Sequence, residues 1–126
     1  MEPEVTDIWF RSPLSLAEIA RRLGLREVTE DAEDYWAWVI GTLDDVRLDI
    51  TRTHARSAGN VDTRVFVLDS SFTEPLITEL VGRLQAFVLS PIICGRWEYC
   101  SGNEFDLVVV RECSPADGTT GSPGQS

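Results

Sequence analysis

Lysine is absent from this chain, and all eleven of its basic residues are arginine. That removes Schiff-base chemistry and the phosphate-cradling lysine of a P-loop. Histidine occurs once, as His54, so any Ser-His-acid or Cys-His mechanism would have to pass through that single side chain. With no G-x-S-x-G anywhere and Arg52, Thr53 and Arg56 around it, His54 reads as an exposed loop residue. The three cysteines, Cys94, Cys100 and Cys113, form an odd set without C-x-x-C spacing, which fits reduced thiols better than a disulfide framework. Taken with His54, they lack the local pairing of ligands seen in structural zinc sites. No apolar run approaches the ~20 residues of a membrane span. The start, Met1-Glu2-Pro3-Glu4-Val5, has neither the basic residues nor the apolar stretch of a secretory signal. The expectation is a soluble cytoplasmic protein without catalytic residues, metal or cofactor.

Positive charge is scarce as well. Twenty-one acidic residues oppose the eleven arginines, giving a net charge of -10 and a pI of about 4.4. Such a chain is repelled by a phosphate backbone, so nucleic acid is an unsuitable partner and a basic protein a natural one. Two local patterns fail on the same ground. Leu14 to Leu25 has the look of the first helix and turn of a helix-turn-helix, but Glu27, Glu30, Asp31, Glu33 and Asp34 stand where a recognition helix needs basic or amide side chains. The helix, three strands and second helix imitate a double-stranded-RNA-binding order, yet the second helix starts Glu74-Pro75 and carries Arg83 as its one basic residue.

What is present suits one globular domain. A chain of 126 residues with 43% hydrophobic and 25% charged residues can bury a core of its own. Alternation around Ile8 and Phe10 predicts a first strand from Thr6 to Arg11. Ser15 then offers an N-cap with Glu18 as its capping-box partner, and Leu16, Ile19, Ala20 and Leu23 make an apolar stripe. Gly24 closes that helix in the left-handed conformation, with Leu25 folding back in Schellman fashion. Glu27 to Asp34 is expected as a solvated connector. Tyr35 to Leu43 and Val46 to Arg52 form a hairpin about Asp44-Asp45. A strand from Thr63 to Asp69 follows, then a helix from Thr73 through Val88, and a last hairpin of Ile92 to Tyr99 with Phe105 to Arg111. Matching its apolar faces pairs Tyr99 with Phe105 and Trp97 with Leu107, sets Cys94 opposite Val110, and turns Cys94 and Cys113 to opposite sides.

The order β-α-β-β-β-α-β-β predicts an α+β fold: a two-layer sandwich in which a mainly antiparallel sheet of about six strands carries two helices on one face. The domain spans residues 5–113. The small and polar residues 114–126 are expected to form a disordered tail.

The opposite sheet face must be polar or be used. Trp36 and Trp38 share one side of their strand, either beneath the helices or on that second face. Close by stand Glu30, Asp31, Glu33, Asp34, Asp44 and Asp45, and the eight acids from Glu27 to Asp49 are opposed by Arg47 alone. Asp44, Asp45 and Asp49 could hold a hard cation, but the first two suit a turn and the third the polar side of an alternating strand. Tryptophan anchors within a carboxylate rim suit recognition of a basic protein instead. The candidate partner-binding set is therefore Glu30, Asp31, Glu33, Asp34, Trp36, Trp38, Asp44 and Asp45.

With this acidic α/β layout and the cluster Glu33-Asp34-Tyr35-Trp36-Ala37-Trp38, residues 5–113 resemble bacterial immunity proteins of the polymorphic-toxin type. The resemblance is one of class and carries no motif from which a residue's role could be transferred. It implies an inhibitor that masks a basic toxin, such as a nuclease, with carboxylates standing in for phosphates. A second reading is a small regulatory or ligand-binding domain acting as a homo-oligomer.

Overall fold

The computed structural model describes residues 4–33, 36–52, 61–68, 70–101 and 104–114, with the backbone alone at residue 36, at 97–101 and at 104–107. Its strands are β1 (Asp7–Phe10), β2 (Arg26–Glu33), β3 (Trp36–Leu43), β4 (Val46–Arg52), β5 (Thr63–Val67), β6 (Ile92–Ser101) and β7 (Glu104–Cys113). Helix α1 (Leu16–Leu23) lies between β1 and β2, and α2 (Glu74–Gln85) between β5 and β6. The fold is α+β, with one seven-stranded sheet in the order β2-β3-β4-β5-β1-β6-β7 and every neighbouring pair antiparallel.

Seven strands replace the expected six because the acidic connector is itself a strand. β2 pairs with β3 from Thr29↔Ile40 to Glu33↔Trp36. Its eight residues are all exposed, so a strand at the sheet's edge can keep its carboxylates hydrated while its backbone pairs on one side. A bulge between Arg26 and Thr29 brings Glu27 to φ 52°.

Both helices start and stop on local chemistry. Ser15 Oγ accepts the Glu18 amide at 3.1 Å, but Glu18 makes no reciprocal cap; its carboxylate takes Arg21 and Arg22 instead. At the other end Gly24, at φ 79°, donates to Arg21 O, and Leu25 N to Ala20 O, both at 3.0 Å, closing a Schellman motif. Thr73 caps α2 by accepting the Leu76 amide at 3.3 Å.

One apolar cluster unites Ile8 and Phe10 of β1, Val39, Leu48, Ile50 and Val65 of the next three strands in the sheet, Ile92 and Cys94 of β6, and the buried stripes of both helices. Helix α1 packs on β3, β4 and α2, while α2 packs on β6. Gly41 in β3 is fixed by close approach: a Cβ there would lie 2.8 Å from Leu25 Cβ.

In the β6–β7 hairpin, Tyr99 faces Phe105 and Trp97 faces Leu107, but a bulge at Cys94/Gly95 puts Cys94 opposite Arg111 rather than Val110. Ile92 then faces Cys113, so Cys113 stands diagonal to Cys94 on the same side, the two thiols within hydrogen-bonding reach. The expectation that they point apart is corrected by that one inserted residue. Among the described residues no helix is long and apolar enough to cross a membrane.

Candidate functional site

Strand pairing sorts the predicted acids and tryptophans into two groups. At one end of the β2–β3 pair, Asp31 lies opposite Trp38 and Glu33 opposite Trp36, while Glu30 lies opposite Val39 and so belongs to the other side of the sheet. Glu30, Asp31 and Glu33 are exposed and Trp38 is half-buried. Because Val39 belongs to the core, Trp38 projects from the other face. Asp34 lies outside the described residues, as do the Trp36 side chain, His54 and residues 115–126.

Asp44 and Asp45 form the second group. They make the two-residue β3–β4 turn with φ values of 49° and 71°, the left-handed pair of a type I′ hairpin. The seven steps of β3 from Trp36 to Leu43, at ~3.4 Å each, set the turn about 24 Å from the tryptophan end. There both aspartates join Gly24, Arg26, Glu27 and Arg83 around an open cleft of about 570 Å³. Two arginines share that cleft with three acids, so its charge is mixed and the single acidic rim drawn from sequence divides into an acidic edge and a turn of mixed charge.

The sequence reading missed a third feature, on the face that carries Trp38. Register aligns two rows across the strands: Asp31, Trp38, Thr51, Arg64 and Trp9, and beside it Thr29, Ile40, Asp49, Phe66 and Asp7. At the centre Asp7 is 0%, Trp9 1% and Asp49 8% exposed. Arg64 Nε donates to Asp7 Oδ1, Thr6 Oγ1 donates to Asp7 Oδ2 at 2.5 Å, and Thr51 Oγ1 donates to Asp49 Oδ1. The Arg64 guanidinium also lies 4.2 Å from the Phe66 ring centroid and 6.0 Å from that of Trp9, a cation–π sandwich within the ion-pair cluster. Burial pushes the Asp49 carboxyl above its ordinary range, against the pull of the Thr51 hydroxyl and the Arg64 charge. Asp49 in the middle of β4, between the apolar Leu48 and Ile50, was the one local sequence signal; the Asp7–Arg64 pairing had none.

Elsewhere the titrating groups are structural. Burial raises the Cys94 thiol to about 11, which keeps it protonated and unreactive. Glu18 is lowered to about 2 by hydrogen bonds from Arg21 and Arg22, and Glu74 is lowered by Arg111. Among the described residues no group of three His, Cys, Asp or Glu side chains could hold a metal ion. No family model, no curated protein and no solved structure matches this chain.

Proposed function

We propose that this chain is an acidic inhibitory binding protein of the immunity type, acting in the bacterial cytoplasm on a basic protein such as a nuclease toxin. The observation that carries the reading is the β2 edge: eight consecutive exposed residues, four of them acidic, with Asp31 placed directly beside Trp38. A carboxylate row offers a basic surface the charge pattern of a nucleic-acid backbone, and the neighbouring tryptophan supplies apolar contact area. The reading takes both helices as covering one face of the sheet, which their shared core cluster supports. In this reading Asp34 and Trp36, next to Glu33 and Trp38 in the sequence, belong to the same patch, and the turn acids Asp44 and Asp45 stand at the other end of the hairpin.

The homo-oligomer alternative draws less support from this edge, because two copies of β2 would set like charges against each other. The experiment is co-expression with the products of adjacent genes, reading growth rescue and then binding by calorimetry. The expected outcome is one basic, toxic product whose effect this protein abolishes through a stable complex. Finding no neighbouring product that it binds or neutralises would overturn the reading.

A further inference from the structure

We infer that β2 receives an extended basic segment of a partner protein as an added, eighth strand of the sheet. The inference rests on the inhibitory reading and gives the contact its geometry. β2 terminates the strand order, so alternate residues turn their N–H and C=O groups away from β3, and among the described residues no strand meets them. Such an edge is the template for strand addition, in which main-chain hydrogen bonds supply affinity and side chains supply selectivity. The bulge near Arg26 leaves Thr29–Glu33 as the regular stretch, paired residue for residue with β3.

Charge decides the occupant. Within Thr29–Glu33, Asp31 and Glu33 flank one side of the strand and Glu30 the other, and among the described residues none of the three has an ion-pair partner. A second copy of β2 would bring three further carboxylates to this edge, whereas arginines or lysines at alternate positions of an incoming strand would meet Asp31 and Glu33 side by side. On the Glu30 side, a groove of about 380 Å³ lies between β2 and the start of α1, bounded by Ser15, Leu16, Ala32 and Ala37. It leaves room for side chains of the added strand. The opposite edge of the sheet is less free: Arg111 of β7 pairs with Glu74 at 2.7 Å, and Gln85 Nε2 donates to Ser114 O at 2.7 Å, tying the described end of β7 to α2.

The test titrates the full chain, labelled with ¹⁵N, with the peptide Arg-Thr-Arg-Val-Arg-Thr-Arg and with an analogue N-methylated at every interior amide. Both probes carry the same charge, but only the first can donate backbone hydrogen bonds. The expected result is a shift footprint on the Thr29–Glu33 amides, at least tenfold weaker binding of the methylated analogue, and a similar loss in the exposed double variant E30R/D31R with its thermal melt unchanged. Equal binding of the two peptides, a footprint elsewhere, no binding, or protection of the β2 amides by self-association would each overturn the inference. A basic partner neutralised equally well by E30R/D31R would overturn strand addition while leaving the inhibitory function standing. Peptide binding at β2 without any neutralised partner would do the reverse.

Discussion

At Asp49 the fold keeps a carboxylate that burial discourages from ionising, on a strand where Leu48 and Ile50 are core residues. A carboxyl raised in the folded state binds its proton more tightly there than in the unfolded chain, so this residue's contribution to stability falls as pH rises from its ordinary value near 3.8 through its folded-state titration. Asp49→Asn fixes the neutral form and retains an oxygen for the Thr51 hydroxyl. The variant is therefore expected to gain stability relative to the parent as pH rises through that window and to hold the gain above it. Urea unfolding across a pH series reads the difference, and a constant gap between the two proteins would contradict the assignment. Glu18 has the opposite sign: its arginine hydrogen bonds favour the charged form, so what it contributes is present above its ordinary value of 4.5 and fades as pH falls toward about 2. Asp7 is a different case, because its buried side chain is paired with Arg64. Removing the arginine alone, as in Arg64→Met, strands a buried carboxylate and is expected to cost about 3 kcal/mol in denaturant unfolding. A loss within experimental error would mean that solvent reaches Asp7 after all.

Among the elements, two glycines make opposite forecasts. Gly82 lies inside α2 with nothing within 4 Å of the position its Cβ would take, so Gly82→Ala is expected to stabilise by ~0.5–1 kcal/mol through helix propensity alone. A Cβ at Gly41 would lie 2.8 Å from Leu25 Cβ and 3.2 Å from Val28 Cγ2, so Gly41→Ala must shift the β2–β3 pair and is expected to cost ~1–3 kcal/mol. The same calorimetric melts check both, and equal signs would contradict the packing around β3. Element identity was largely legible before the fold was known, since Ser15, Gly24, Thr73 and the alternation of Val46–Arg52 act within a few residues of themselves. β2 escaped because Glu27, Glu30, Asp31 and Glu33 carry the composition of a loop, and only pairing with β3 turns them into a strand. The Cys94/Gly95 bulge escaped for a related reason: one residue inserted in β7 leaves no mark on the apolar pattern. The candidate site was legible as a set of residues but not as a shape. Asp31 and Trp38 do meet, whereas the Asp44-Asp45 turn, close in sequence, is carried to the far end of the hairpin. The Asp7–Arg64 pair joins positions 57 apart and lay beyond any local signal.

For the molecule as a whole, a net charge of -10 on a 126-residue chain is a standing self-repulsion. Sodium chloride screens charges separated by more than about 10 Å at 0.1 M, so moderate salt is expected to raise the melting temperature at neutral pH, and scanning calorimetry against salt measures it. A fall instead would show that short ion pairs such as Arg111–Glu74 outweigh the long-range term. The sheet itself is assembled from two parts: β2 to β5 zip together as successive neighbours, β6 and β7 form a hairpin, and β1 alone joins them by pairing with β5 on one side and β6 on the other. That junction pairs only with strands far from it along the chain, Asp7 lying opposite both Phe66 and Gly95. Closing the sheet therefore waits on its two longest-range strand pairings, and until they form Ile8, Trp9 and Phe10 lack their strand neighbours and offer an apolar surface to misassociation.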